Sequence, residues 1–453
     1  MQHATCDMDP LGRGATRGQG GGFKLLGVPL GNHAFVEEVL EARVVQVKQL
    51  QDSLHLLEDP HMAYTLLRSC FSFPKFAFTL RTVSTIQHQD KLEQFDEAVR
   101  EALEGILGFG LRLAKSHGSA AYVSSVSAAQ PMVMEIRRGQ DEGDQADFNH
   151  QLPTPEAVQD LNSQLGDPLS PEEVGAKTQR ELSFLVDTAT ASRLLEAMAE
   201  RREVARLRCL AREGAGDWLT ALPSKALGLH LRRSEFVAAG RYRLGIPVFN
   251  LEAECPMPRC RAVSDRLGDH AIACTIGGER IARHNRGREA LLQAAVQAGL
   301  GPSREPEGLL PGSDDRPADI LIPFWSGGRD TAIDYTVVNP LQAVLVGHVA
   351  LDGGSGVEHA HRVKVRKYEE RCATEGIVFL PFAVDTFGGW HAEALKIIAR
   401  LSRQVASNTG KEGAEVVRHL RQRLGVLLVR DNVSMLCART PTFAPPEVDR
   451  DLD

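Results

Sequence analysis

The chain has 453 residues, of which 43% are hydrophobic and 25% are charged, with a net charge of -7 at pH 7. This length allows two to four domains, and the composition is ordinary for packed globular cores. A transmembrane helix is not expected, since no apolar run reaches about 18 residues. The first residues also lack the apolar core of a signal peptide. We therefore expect an intracellular protein with reduced cysteines.

The pattern of apolar and polar residues changes several times along the chain, which predicts a multidomain protein. Apolar residues recur at helical spacing in the amino-terminal half, and helices alternate with strands in the carboxy-terminal part. The latter order indicates an α/β domain with a mixed sheet. The predicted parts are a disordered tail at 1–22, a helical domain at 23–136, an acidic proline-rich linker at 137–180, a basic helical connector at 181–250, a Cys/His segment at 251–276, an α/β domain at 277–430 and a tail at 431–453.

Two aspartates lie in a predicted β-hairpin whose neighbouring strand residues are apolar. Its strands are predicted at 318–324 and 331–338, and Asp319 and Asp334 are equally far from the centre of the loop. Opposed side chains in such a ladder have Cβ atoms roughly 5 Å apart. Two buried carboxylates at that distance repel each other, and Mg²⁺ removes the repulsion by binding both. The hairpin therefore predicts a Mg²⁺ site suited to phosphodiester hydrolysis.

A structural interpretation of the same aspartates stays open. Asp319 could cap the entry into its strand, and Asp334 could form an ion pair with Arg329 or Arg316. Short motifs of this kind often occur without catalytic function.

Four further side chains near the hairpin could complete a catalytic site. Glu289 lies on the preceding predicted helix and Glu305 lies before Asp319, so either could add a carboxylate to the metal site. Lys364 and Lys367 share one face of the following helix, where one of them could orient the attacking water or neutralise charge in the transition state. The alternative for both lysines is a solvated helix surface.

A second group of metal-ligand residues precedes the hairpin. Cys255, Cys260, His270 and Cys274 have the spacing C-x4-C-x9-H-x3-C. Thiolate and imidazole groups in two close pairs are typical of tetrahedral Zn²⁺, and four protein ligands make such a site structural. Buried cysteines without a metal are the alternative.

Arginines are frequent between the helical half and the Cys/His segment, with aromatic residues among them. Such side chains could bind nucleic-acid phosphates and stack on bases. His284, which follows the Cys/His segment, could instead lie at a helix N-terminus capped by Asn285. The candidates for nucleic-acid binding are Arg206, Arg208, Arg212, Arg241, Arg243, Arg283 and His284.

The hairpin and the elements around it resemble a PD-(D/E)xK nuclease core. The first acid stands in the tripeptide Pro-Ala-Asp at 317–319, and the second is Asp334. The usual lysine of that family would stand at Thr336, which is a departure from the pattern. In the restriction-like endonucleases of non-LTR retrotransposons the lysine comes from a later helix, so the resemblance implies Lys364 or Lys367 here.

Other stretches resemble the same retrotransposon proteins. Their endonucleases carry a CCHC zinc knuckle followed by an Arg-His-Asn tripeptide, which stands here at 283–285. Stretches within 23–250 resemble a reverse-transcriptase thumb and its connector. The palm motif Tyr/Phe-Ala-Asp-Asp does not occur in the sequence, so no polymerase activity is expected. The resemblance implies the carboxy-terminal part of a retroelement protein, either a fragment or a degenerate copy.

The leading hypothesis is a Mg²⁺-dependent DNA endonuclease with a structural Zn²⁺ site, which nicks target DNA in the nucleus. DNA is the expected partner, with RNA as a second candidate and no membrane. A catalytically inactive nucleic-acid-binding remnant is the main alternative. A third hypothesis is a helical scaffold whose arginines are merely solvated.

Overall fold

The computed structural model of the protein describes residues 15–17, 21–106, 111–138 and 154–439. The chain divides into two compact units. The first unit comprises Met1–Glu58 and Leu66–Glu196, and the second comprises Asp59–Thr65 and Ala197–Asp453.

The first unit is helical, as the apolar spacing predicts. A small antiparallel sheet of β1 (Ala15–Arg17), β2 (Gly22–Leu25) and β3 (Val28–Gly31) precedes its helices. Phe76 and Phe95 are fully buried, with ring centroids 4.6 Å apart, and join two of these helices. The helices up to residue 197 are α1 (His33–Asp52), α2 (Pro60–Leu66), α3 (Phe73–Thr82), α4 (Gln89–Ile106), α5 (Ala114–Arg138), α6 (Pro155–Gln164), α7 (Pro171–Gly175) and α8 (Gln179–Ala197); α2 belongs to the second unit apart from its last residue.

The stretch expected to be an acidic linker is folded where the structure describes it. Helices α6 and α7 lie within this stretch, and Leu161 and Val174 are fully buried in a cluster with α8. Pro155 and Pro171 are the first residues of these helices, a position that needs no backbone N–H and suits proline. The prolines that predicted a linker are therefore helix-start residues. The predicted linker residues 139–153, like most of the predicted amino-terminal tail, lie outside the described residues.

The second unit contains a four-stranded mixed sheet with the order β6-β7-β8-β9. Strands β7 and β8 form the predicted hairpin and are antiparallel, whereas β8 and β9 are parallel. The mixed sheet in the carboxy-terminal part is thus confirmed. The strands of this unit are β4 (Ala253–Glu254), β5 (Val263–Ser264), β6 (Ser303–Arg304), β7 (Ile320–Ser326), β8 (Arg329–Val338) and β9 (Val378–Asp385).

The helices of the second unit continue beyond the predicted domain end. Asn432 and Met435 are buried parts of the last helix, so the tail expected from residue 431 is helical as far as Ala438. Among the described residues, no helix has both the length and the apolar character that crossing a bilayer requires. The helices are α9 (Arg201–Leu210), α10 (Arg233–Leu244), α11 (Asp269–Ala273), α12 (Glu279–Gln297), α13 (Val346–Val349), α14 (Ser355–Thr374), α15 (Ala392–Thr409) and α16 (Gly413–Ala438).

Helices cover both faces of the mixed sheet. Ile333 and Tyr335 of β8 pack into a core with α12, α15 and α16, whereas Ala332 packs with Tyr368 of α14 on the other face. Successive side chains of a strand point to opposite faces. Asp334 therefore lies on the face that α14 covers.

Candidate active site and metal cluster

Asp319 and Asp334 face each other across the β7–β8 ladder. Ile320 pairs with Ile333, and the Asp319 N–H donates to the Ile333 carbonyl at 2.9 Å. Asp319 Oδ2 in turn accepts a hydrogen bond from the Tyr335 N–H at 2.7 Å. The opposed register expected from the spacing of the two aspartates is therefore present.

Asp334 is buried, with 5% of its surface exposed. Burial raises the pKa of its carboxyl to about 6; Lys364 opposes this shift and the charge of Asp319 adds to it. Lys364 Nζ donates to Oδ1 at 3.0 Å and lies 2.9 Å from Oδ2. The second contact has the distance of an ion pair without hydrogen-bond geometry, so Oδ2 is buried without a hydrogen bond.

The structure distinguishes the two candidate lysines. Lys364 lies at the aspartate pair, with 29% of its side chain exposed. Lys367 pairs with Asp315 at 3.1 Å, and its ammonium lies 4.6 Å from the centroid of the Tyr368 ring. Of the two, Lys364 is therefore the lysine placed to act with the aspartates.

His284 adds a third polar group to the aspartate pair. Its Nε2 lies 3.0 Å from Asp319 Oδ1. Gly287, almost one turn later on α12, makes this approach possible, because a Cβ at that position would lie 2.3 Å from the Tyr335 ring. Helix α12 begins at Glu279, so His284 lies inside the helix and not at its capped end. Sequence reasoning assigned His284 to nucleic acid and gave no signal for its contact with Asp319.

Neither glutamate proposed for the metal site has its carboxylate turned toward the aspartates. Glu289 lies 3.8 Å from an Arg304 nitrogen, and Glu305 is paired with Arg288. Glu305 is joined to Asp319 only through the backbone, where its N–H donates to the Asp319 carbonyl at 2.9 Å. Glu305 forms a close ion pair with Arg288 and Glu289 lies in a loose, exposed pair with Arg304, which corrects the expectation that one of them completes the site.

Asp319 and Asp334 offer carboxylate oxygens, the kind of ligand that small divalent cations prefer. Of the two arginines considered for a structural ion pair with Asp334, Arg316 pairs with Glu307 at 2.6 Å. Lys364 forms the ion pair with Asp334 instead, so a structural role for this aspartate stays open. Two facing carboxylates, one of them with a buried oxygen that accepts no hydrogen bond, form the kind of oxygen donor set that Mg²⁺ binds.

The predicted Cys/His ligands form a compact cluster. One ligand atom from each of Cys255, Cys260, His270 and Cys274 lies within 4.8 Å of the others. Cys260 Sγ is 3.8 Å from Cys274 Sγ and 3.4 Å from His270 Nε2. A tetrahedral zinc site with Zn–S bonds of about 2.3 Å has edges of roughly 3.8 Å, so these distances are compatible with Zn²⁺.

Arg439 lies beside this cluster. Burial alone would raise the pKa of the Cys274 thiol, but hydrogen bonding at Ile276 and the Arg439 guanidinium hold the pKa below its usual value. Arg439 also donates to the Ile276 carbonyl at 2.6 Å and to Glu279 at 2.8 Å. The residue ties the cluster to the first turn of α12, the helix that carries His284.

Three of the arginines predicted to bind nucleic acid are held by protein acceptors, with Arg206 and Arg283 buried and Arg243 partly buried. Arg206 Nη1 donates to the Arg243 carbonyl, and Arg243 Nη1 donates to the Ala215 carbonyl at 2.6 Å. Arg283 Nη1 donates to Asn432 Oδ1 at 2.7 Å. Burial lowers the pKa of both Arg243 and Arg283 to about 10. Guanidinium groups held in this way stabilise the fold and are not available to phosphates, which corrects the expectation.

The remaining candidates are partly buried. Arg212 donates to the Gly353 carbonyl at 3.2 Å and to the Trp390 carbonyl at 2.6 Å. Arg241 Nε donates to the Pro247 carbonyl at 2.7 Å. Arg208 is half-buried, and its Nε is enclosed without a partner. Sequence composition did not distinguish these side chains from solvated ones.

A second polar cluster, which the sequence did not indicate, joins α14 to the start of α15. Its members are Glu358, His361 and His391. His391 Nδ1 accepts the Glu393 N–H at 3.1 Å, so the ring proton lies on Nε2, which donates to Glu358 at 3.0 Å. The His361 and His391 rings stack with centroids 3.9 Å apart, so their nitrogen lone pairs do not converge on one point. We interpret this cluster as a hydrogen-bonded link between two helices.

No protein-family model matches the chain, and no curated protein matches it with significance.

Proposed function

We propose that the second unit is a Mg²⁺-dependent DNA endonuclease of the PD-(D/E)xK type, within a non-LTR retrotransposon protein. The observation that carries the proposal is the opposed register of Asp319 and Asp334, with Asp334 buried and its Oδ2 accepting no hydrogen bond. Lys364 Nζ lies 2.9 Å from this oxygen, and two buried or half-buried carboxylates are costly to ionise together unless positive charge compensates both. Lys364 supplies one positive charge, whereas two ionised carboxylates carry two negative charges. The remaining negative charge favours binding of a divalent cation.

Each side chain of the site has a role in phosphodiester hydrolysis. Asp319 and Asp334 would hold Mg²⁺, which supplies Lewis acidity toward a phosphoryl oxygen when bound. His284 and the Tyr335 N–H fix the two oxygens of Asp319. The partly exposed ammonium of Lys364 can approach the scissile phosphate and stabilise the charge of the transition state.

The rest of the chain supports the same family. The Cys/His cluster stands before the sheet, where these elements have their zinc knuckle, and the helical first unit stands where they have the thumb. We propose a structural Zn²⁺ in the cluster, with thumb and knuckle roles that support nucleic-acid binding in the nucleus.

Plasmid nicking in the presence of Mg²⁺ tests the proposal. Asp319→Asn and Asp334→Asn should each slow nicking about a hundredfold or more, because each removes an anionic ligand. Asp315→Asn is the matched control, since this carboxylate pairs with Lys367 and Arg371 in the same unit and away from the pair. Nicking by the two site variants at the wild-type rate would overturn the proposal.

The inactive remnant remains the second candidate, and one contact favours it. Lys364 already neutralises Asp334, so the pair can persist as a structural ion pair without a metal. A wild-type protein that binds DNA with a salt-dependent affinity but nicks nothing would establish this candidate instead.

A further inference from the structure

The tip of the β7–β8 hairpin carries an exposed aromatic side chain in an unfavourable backbone conformation. Phe324 is 76% exposed and has a φ of 52°. Bulky residues rarely adopt the left-handed region, and those that do are often held there at functional sites. The register of the hairpin shifts by two residues between Ile322 and Ser326, so the strand bulges at this point. Bulges of this kind reorient a side chain.

Neighbouring contacts hold Phe324 outward. Its N–H donates to Asp330 Oδ1 on the opposite strand at 3.1 Å. The next residue, Trp325, is buried, with the Arg400 guanidinium 4.1 Å from its ring centroid. Arg400 Nη1 also donates to Ser326 Oγ at 3.0 Å. Trp325 and Ser326, which follow Phe324, are both held by Arg400, so the backbone that carries the exposed ring is fixed in place.

The surroundings of the tip are cationic. Arg329 is exposed at the start of β8, Arg400 lies under the tip, and Arg403 is exposed on the same helix as Arg400. The carboxylate of Asp330 accepts the Phe324 N–H and partly offsets this charge. An aromatic ring among arginines suits a nucleic acid, because the arginines attract phosphates and the ring meets base faces.

We propose that Phe324 is a wedge that inserts against the stacked bases of the DNA target. The inference rests on the proposed function, because the aspartate pair lies on the same hairpin. Phe324 follows Asp319 by five residues, and the bulge and the positive φ of Phe324 shorten this path, so the two residues are at most about 16 Å apart. With one base pair per about 3.4 Å of duplex, the wedge meets the DNA within about five base pairs of the cut.

Fluorescence of 2-aminopurine, which increases when a base is unstacked, tests this inference. The full-length protein with Asp334→Asn, which prevents cutting, is bound to short duplexes that carry the probe at successive positions. We expect an increase at a single base step, which Phe324→Ala abolishes while weakening binding roughly tenfold. Phe324→Trp, which keeps an aromatic face, should retain the signal. Leu351→Ala, which alters another exposed apolar side chain of the same unit, should change neither signal nor affinity.

Phe324→Gly separates the wedge from a structural role. Glycine accepts the positive φ without strain, so this variant should be at least as stable as wild type and still lose the fluorescence signal. Equal fluorescence and affinity for wild type and Phe324→Ala would overturn the wedge even if the protein nicks DNA. A signal that depends on Phe324 in a protein that never nicks would support the wedge and reject the nuclease.

Discussion

Lys364 of α14 and Asp334 of β8 form an ion pair that joins a helix to the sheet beneath it. The ammonium lies 3.0 Å from Oδ1, with 29% of the lysine side chain and 7% of the aspartate side chain exposed. Removing the lysine leaves the buried carboxylate without compensation, which costs more than the pair contributes when intact. Substitutions in this pair should therefore change both the stability of the second unit and the nuclease activity proposed for it.

Lys364→Met should lower both stability and nicking. We expect a loss of about 1–3 kcal/mol in the free energy of unfolding, less than for a fully buried pair because the lysine is partly exposed. Lys367→Met removes an exposed pair with Asp315 and should cost less than about 1 kcal/mol. Urea unfolding and plasmid nicking measure the two effects, and equal behaviour of the two variants would contradict the assignment of Lys364.

Asp334→Asn should stabilise the metal-free protein at about pH 8 and have little effect at about pH 4. The pKa of Asp334 is raised from 3.8 to about 6 in the folded chain. Between these values the folded state keeps a proton that the unfolded state has released, so stability falls as the pH rises through this window. A pKa difference of this size corresponds to about 3 kcal/mol. Urea unfolding of both proteins in chelator across this range measures the difference.

Asp385, whose pKa burial also raises to about 6, is present in both proteins and cancels in that comparison. A difference that does not depend on pH would show that folding does not raise the pKa of Asp334. At a Mg²⁺ concentration that does not saturate the site, wild-type nicking should fall as the pH falls below about 6, because the protonated carboxyl does not bind the cation. Additional Mg²⁺ should move this loss to lower pH.

His284→Ala should weaken nicking by about ten- to a hundredfold through the orientation of Asp319. The histidine contacts one oxygen of that carboxylate, and such outer contacts typically contribute this much to metal affinity. The effect should appear as a higher Mg²⁺ concentration for half-maximal nicking. His284→Gln, which keeps a donor, should restore part of the affinity. A lower maximal rate at unchanged Mg²⁺ dependence would argue for direct contact with the substrate instead.

The facing aspartates could be predicted because strand geometry relates sequence spacing to register. Ile320 pairs with Ile333, and the bulge that shifts the register lies between this pair and the turn. The turn residues are Gly327 and Gly328, one position beyond the loop centre that the spacing of the aspartates implies, and the two-residue bulge compensates for this difference so that Asp319 lies opposite Asp334. The Cys/His cluster could be predicted for a similar reason, since its four residues lie within a short local segment.

The rest of the site depended on tertiary packing, which spacing does not reveal. Lys364 and Lys367 lie on the same face of their helix, so the sequence does not show which of them contacts Asp334. The packing of α14 on the sheet places Lys364 at Asp334 and Lys367 at Asp315. His284 reaches Asp319 because Gly287 lets the helix approach the strand. Arg206 is buried against a carbonyl, although its arginine-rich surroundings in the sequence are typical of a solvated basic surface.

Cys260→Ser and Cys274→Ser should each abolish stoichiometric zinc binding and destabilise the second unit. Both sulfurs lie at tetrahedral edge distance from each other, so losing either leaves three ligands. With free zinc about a thousandfold above its Kd, the wild-type protein gains about 4 kcal/mol of stability, which both variants should lose.

Cys437→Ser is the control, because Cys437 is exposed and outside the cluster. Metal analysis and thermal unfolding with and without chelator measure the effect. Equal zinc content in all four proteins would show that these cysteines are buried thiols and not ligands.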